Sequence, residues 1–265
     1  MKEIVEKTEQ LNTVETITAD LKKLGVKEGD TLLVHTSLSA IGWVNGGAQA
    51  VIEALIRSVG KNGTVVMPAQ SADLSDPSEW EAPAVPESWW EEIRETMPPY
   101  DPAVTPTRGM GKIPELFRTW PGAVRSAHPA VSFAAYGAKS RELMADHGLD
   151  FGLGEKSPLA RLYRENGTVL MIGTEYETNT SFHLGEYRVP EPKTESRGAP
   201  VTDNGRRVWK TYRDIAFQDE RFEEAGAEFE RHCPVVTGRI GEAGSRLFSL
   251  RESVDFSARF FTRES

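Results

Sequence analysis

A chain of 265 residues is long for one domain and short for two, which predicts a single domain spanning 1–265, built as a core with an appended lobe. Its formal net charge is −9 with basic residues scattered rather than clustered, which argues against a nucleic-acid partner and leaves room for a cationic ligand. A single cysteine, Cys233, excludes an internal disulfide and a thiolate metal cluster; no stretch approaches the roughly 20 apolar residues of a membrane span, and the charged start lacks a signal-peptide core, so a cytoplasmic protein is expected.

In chain order, "TVETITADLKKLG" has helical spacing and stops at Gly25, "DTLLVHTSL" reads as a buried strand, and "GGAQAVIEALIRSVG" as a helix bracketed by glycines. "GTVVMPAQ" is a second buried strand, so the order is βαβ and predicts parallel strands covered by helices on both faces. Residues 71–106 break this pattern with many prolines and with Trp80, Trp89 and Trp90, and hold at most one short helix near "ESWWEEIRETM". An irregular segment of that length reads as a functional loop or lid. "GKIPELFRTWPG" is helical at its start, "AVSFAAYG" strand-like, "SRELMADHG" helical, and "SPLARLYRENG" a helix leading into the strand "TVLMIG". After Pro192 come a hairpin, "APVTDNGRRVWKTYRDI", with an Asn-Gly turn, an amphipathic helix in "DERFEEAGAEFERH", then short strands and a last helix. The reading is α/β: a three-layer α/β/α core over about 1–192 with a mostly parallel or mixed central sheet, and a smaller C-terminal α+β lobe over about 193–265.

Four places could carry chemistry. The run from "LLVHTSL" into the next helix puts Ser37, Ser39, Asn45, Gly46 and Gly47 beyond a strand end and at a helix start, where backbone N–H groups and the positive dipole end suit a phosphate. An ordinary glycine-rich loop would look the same, and His35 at the strand end equally suits a packed residue. "YDPAVTPTRGMGKIPELF" repeats the theme with Arg108 and Lys112 nearby, although Thr105 or Thr107 capping the helix needs no ligand. In "NTSFHLGEY", His183 and Glu186 are three apart and share a face if a helix starts near Thr180. A carboxylate beside an imidazole fixes its tautomer and raises its basicity, which suits a general base; the same spacing also suits a solvated pair on a helix, and a metal site would need ligands that His128, His147 and His232 do not offer at metal-binding spacing. No GxSxG elbow supports a serine hydrolase. The acidic residues Asp73, Asp76, Glu79 and Glu81 beside Trp80 could receive a polycation or merely coat a solvated loop.

Taken in order and at these distances, "VHTSLSAIGWVNGGAQAVIEAL", "GTVVMPAQ", "TPTRGMGKIPELFRTWPGAVRSAHPAVSFAAYG", "GEKSPLARLY" and "NTSFHLGE" resemble the aminoglycoside 3-N-acetyltransferase family over nearly the whole chain. The resemblance implies an α/β/α layered fold, acetyl-coenzyme A as acetyl donor without a metal, and transfer to the 3-amine of the 2-deoxystreptamine ring. It places the family's H-x-x-E block on His183 and Glu186 as the catalytic pair. It places coenzyme binding on His35, Thr36, Ser37, Leu38, Ser39, Trp43 and Val44 of the first loop and on Thr105, Arg108, Met110 and Lys112 of the second. Acceptor binding is expected from Asp73, Asp76, Glu155 and Glu186, since carboxylates concentrate a cationic aminoglycoside. The expected mechanism is direct transfer in a ternary complex, with oxyanion donors near Thr180 and Ser37. The alternatives are the same chemistry on another small-molecule amine, a coenzyme-binding protein without catalysis, and last a metal hydrolase. Neither nucleic acid nor membrane is expected as a partner, and the sequence allows a homodimer.

Overall fold

The structure, a computed structural model, describes residues 2–81 and 83–263. After a short helix α1 (Lys2–Lys7), helix α2 (Val14–Leu24) starts where Thr13 and Thr16 cap each other and stops at Gly25, whose left-handed backbone donates to Leu21 and Lys22. Strand β1 (Thr31–Thr36) is buried through His35 and leads into the one-turn α3 (Leu38–Ile41) and the longer α4 (Gly47–Val59). Strand β2 (Thr64–Pro68) is buried throughout. Among the described residues of 71–106 there are two 3-10 turns and α5 (Trp90–Thr96), as the prolines predict. Then come α6 (Lys112–Arg118), a hairpin of β3 (Val124–Arg125) and β4 (Phe133–Gly137), α7 (Ser140–Met144), α8 (Pro158–Arg164), β5 (Thr168–Ile172) and α9 (Ser181–Glu186).

The chain finishes with β6 (Thr194–Asp203), β7 (Arg206–Ile215), α10 (Phe222–His232), β8 (Val235–Ile240), β9 (Ala243–Ser249) and α11 (Leu250–Thr262). The hairpin of β6 and β7 turns at Asn204 and Gly205, both at positive φ, as the Asn-Gly pair predicts. It begins at Thr194, several residues before the alternation at Ala199 suggests.

Seven strands form one sheet in the order β3-β4-β2-β1-β5-β9-β8. Its centre, β2-β1-β5, is parallel, with Thr31 opposite Thr64 and His35 opposite Met171. The flanking pairs are antiparallel: β4 enters beside β2 as the return arm of its hairpin with β3, and β9 runs against β5. Alternate residues of each strand face opposite layers. Leu32, Val34, Val65 and Ile172 pack under α2, α4 and α6, and Leu33, Val66, Val169 and Met171 under the helices on the other side. This is the expected three-layer α/β/α architecture with a mixed sheet. Of the C-terminal α+β part, β6 and β7 form a sheet of their own, whereas β8 and β9 extend the main sheet and α11 packs on its second face against α9.

That contact fixes α9. Gly185 lies so close to α11 that a Cβ there would come within 2.0 Å of Ser257 Oγ, so only glycine allows the approach. At the start of α9, buried Asn179 accepts from the Ser181 N–H and hydroxyl, and Ser181 bonds Ser253 of α11 at 2.7 Å.

Candidate active site

The carboxyl ends of β1 and β2 and the turn after β5 open into a cleft of about 810 Å³. Ligands in open α/β sheets gather at this place. One wall carries His35, Thr36, Ser37, Leu38, Ser39, Trp43 and Val44, and the facing loop brings Met110 and Lys112, so nine of the residues expected to hold a coenzyme meet here. Thr174, Glu177, Thr178, Thr180, His183 and Asp219 also line the cleft. Ser37 and Ser39 share a hydroxyl contact at 3.2 Å. Gly47 lines the cleft at the start of α4, while Asn45 turns to Asn12 and Gly46 supplies the left-handed cap.

Two residues expected in that group lie elsewhere. The Thr105 hydroxyl accepts from the Asp101 N–H at 2.9 Å and its carbonyl accepts from Arg125, so it belongs to the loop's internal bonding. Arg108 points the other way, 3.6 Å from Asp73, because its backbone is tied to Gln70 and the next turn of chain faces the opposite side. Neither threonine caps α6: the residue before it is Gly111, and Thr107 gives its N–H and hydroxyl to Glu115. The Glu115 carboxyl is held at about 2, since these bonds and those from Arg118 outweigh the upward push of burial.

His183 Nδ1 lies 2.6 Å from Glu186 Oε2, and the other oxygen of Glu186 accepts the Gln218 N–H at 2.6 Å. A carboxylate only accepts, so Nδ1 carries the proton and Nε2 presents a lone pair. Glu186 is 2% exposed, and both its oxygens are engaged. It lines neither cleft, although acceptor binding was also expected of it. Phe217 and Phe222 flank the imidazole with ring centres 4.6 and 4.7 Å away.

A second cleft, of about 650 Å³, adjoins the first: Gln70 lines both, and Phe217, which packs on His183, lines the second. Its walls are acidic and aromatic, with Asp73, Glu79, Trp80, Glu81, Tyr212 and Asp214. Arg197 pairs with Glu79. Asp214 is 4% exposed; burial raises its carboxyl above the ordinary range, opposed by bonds from Tyr187 and from the Ile215 and Gly152 N–H groups. Asp76 and Glu155, expected to bind the acceptor, lie outside both clefts: Asp76 is held by two bonds from Arg94, and Glu155 by Arg188 at 2.8 Å.

Sequence reasoning missed Asp214, Asp219 and Gln70. For Asp214 a signal existed: Tyr212 and Asp214 alternate onto one side of "TYRDI", and a carboxylate at an inward strand position is unusual enough to mark a site.

A family model described as aminoglycoside 3-N-acetyltransferase matches residues 33–262. The chain is 53% identical over 262 residues to an SPbeta prophage-derived aminoglycoside N(3')-acetyltransferase-like protein, YokD, of Bacillus subtilis (strain 168), covering 98% of this chain and 96% of that protein. It is 37% identical over 255 residues to aminoglycoside N(3)-acetyltransferase IX of Micromonospora chalcea, covering 90% and 89%. Among solved structures, AAC-IIIb in a binary complex with CoASH superposes with a TM-score of 0.84 at 32% identity, covering 96% of this chain and 97% of that one.

Proposed function

The chain belongs to the aminoglycoside 3-N-acetyltransferase family, and on that premise we propose that it transfers the acetyl group of acetyl-coenzyme A to the 3-amine of a 2-deoxystreptamine ring by direct attack in a ternary complex. The observation that carries this reading is the position of His183, which lines the large cleft, is oriented by a buried carboxylate, and packs against a ring of the acidic cleft. The CoASH complex of AAC-IIIb supports a coenzyme A donor, and the large cleft, where nine of the expected coenzyme-binding residues meet, is the place for it. There Lys112 and the amide end of α4 at Gly47 supply positive potential for phosphates. The acidic cleft takes the aminoglycoside: Glu81 and the exposed Asp73, only loosely paired with Arg108 at 3.6 Å, attract its ammonium groups, while Glu79 is already paired with Arg197 and Asp214 is buried with both oxygens engaged. Asp219, on the His183 side, suits the amine nearest the reaction.

An amine at neutral pH is mostly protonated and cannot attack until it loses a proton. The ammonium gives that proton up to solvent; as the neutral amine attacks, His183 Nε2 takes the further proton that the nitrogen must shed, and Glu186, accepting from Nδ1, stabilises the imidazolium; a base of this kind contributes about 10²–10⁴ in rate. As the amine nitrogen bonds to the carbonyl carbon, the carbonyl pair moves to oxygen; its return breaks the carbon–sulfur bond, and the thiolate receives the proton from His183.

The test is free-thiol release from acetyl-coenzyme A with a panel of 2-deoxystreptamine aminoglycosides, with the product located by NMR. Release with acetylation at the 3-amine is expected. No release with any aminoglycoside, while coenzyme still binds, transfers the reaction to another small-molecule amine. An acetyl-enzyme trapped by mass spectrometry overturns direct transfer.

A further inference from the structure

The base has a neighbour that the mechanism so far leaves idle. His35 is the penultimate residue of β1, at the centre of the sheet and opposite Met171. Alternation along β1 turns it to the side of Leu33, which packs in one cluster with Phe182 and Leu184, the residues on either side of His183. Both histidines line the large cleft. His35 is 6% exposed, yet its side chain makes no hydrogen bond to any described residue, and its Nε2 is sealed from solvent without a partner. Two hydroxyls near it in the chain or sheet, Thr36 Oγ1 and Thr174 Oγ1, are also buried and unpartnered, and both residues line the same cleft. Thr36 pairs with Ile172, two residues before Thr174, so all three residues lie at or just beyond the carboxyl ends of the adjacent strands β1 and β5.

Buried polar groups are costly to leave unpaired, and several of them lining one cleft point to a ligand that completes them. Burial, with a smaller contribution from the charge of His183, holds His35 down at about 3. It is therefore neutral at physiological pH, a poor base but a hydrogen-bond donor through one ring N–H. By contrast, the Ser37 hydroxyl is engaged with Ser39 and the Thr180 hydroxyl with the Thr178 carbonyl.

We propose that His35 is a second catalytic residue, whose ring N–H donates to the acetyl carbonyl oxygen while the amine attacks, with the Thr36 and Thr174 hydroxyls as further polar groups of the same cleft. The proposal rests on the acetyl-transfer reading above. In the step it serves, the nitrogen–carbon bond forms and the carbonyl pair moves to oxygen, where the His35 N–H meets the growing charge; collapse returns the pair and expels the thiolate. A preorganised donor of this kind acts on the transition state more than on the bound substrate.

The test compares wild type, His35→Ala and His35→Gln, using acetyl-coenzyme A carrying a ¹³C-labelled acetyl carbonyl and an aminoglycoside that the wild type acetylates. For His35→Ala, kcat falls by about 10²–10³ with KM for acetyl-coenzyme A nearly unchanged. His35→Gln, which restores an N–H donor, recovers part of that loss. The infrared band of the bound labelled carbonyl, lowered in the wild type, returns toward its free position in His35→Ala. Wild-type turnover with an unchanged kcat in His35→Ala, or an unmoved carbonyl band, overturns the role of His35 and leaves the transferase reading intact. Absence of wild-type turnover with every aminoglycoside is the failure of that earlier reading instead.

Discussion

Glu186 shows how one buried side chain sets the chemistry of another. Its two oxygens each accept one N–H, from His183 Nδ1 and from Gln218. Glutamine in its place has one acceptor and one donor, so one bond must fail: either the Gln218 N–H is stranded, or the imidazole flips its tautomer and loses the Nε2 lone pair. Glu186→Gln therefore lowers kcat by about 10²–10⁴ with little change in KM for acetyl-coenzyme A, checked by steady-state thiol release. An unchanged kcat means that the pair does not work as a unit. At this scale the site was half legible. The three-residue spacing of His183 and Glu186 needs only helix geometry, but the use of both Glu186 oxygens depends on Gln218, brought in from a distant part of the chain.

Among the elements, the irregular segment 71–106 depends on one side chain of the sheet. Arg125, 9% exposed on β3, donates to the carbonyls of Ala69 and Thr105 and to the hydroxyls of Ser71 and Ser132, with its guanidinium over the Tyr100 ring. These bonds clamp both ends of the loop whose residues line the acidic cleft. Arg125→Ala costs about 2–4 kcal/mol in urea unfolding and raises KM for the aminoglycoside more than KM for acetyl-coenzyme A; equal changes in both would contradict a local clamp. Arg125→Lys rescues little, because a point charge cannot span four acceptors. The helices and strands of the centre follow from hydrophobic period, and the break at 71–106 from its prolines. The direction of each carboxylate in that break does not follow, since an aperiodic loop has no face. Asp76 is captured by Arg94, 18 residues on, and Glu79 by Arg197, 118 residues on. The joining of β9 to β5 was equally hidden, because strand pairing is a long-range choice that local sequence does not encode.

For the molecule as a whole, three buried histidines set a pH limit on stability. His35, His128 and His147 are held at about 3, 4 and 3, burial being the largest cause in each. His128 accepts from the Ala130 and Val131 N–H groups, and His147 donates to the Gly152 carbonyl, so both are built in as neutral rings. In the unfolded chain they titrate near 6.5, so the unfolded state gains protons first on acidification. Their contribution is complete above that value and is lost as pH falls toward 4, by up to about 1.4 kcal/mol per pH unit for each ring. Urea midpoints at about pH 7.5 and 5 are expected to differ accordingly; equal midpoints contradict the neutral assignment. No helix among the described residues is long and apolar enough to cross a membrane. The large cleft that His183 lines, beside an acidic cleft that shares Gln70 with it, is the feature that turns this fold into a catalyst. Its most direct test is thiol release by His183→Ala in the presence of acetyl-coenzyme A and an aminoglycoside, run beside calorimetric titration with coenzyme A. A rate lowered by about 10²–10⁴ with coenzyme affinity nearly unchanged is expected; turnover of the variant at the wild-type rate would show that His183 is not the base.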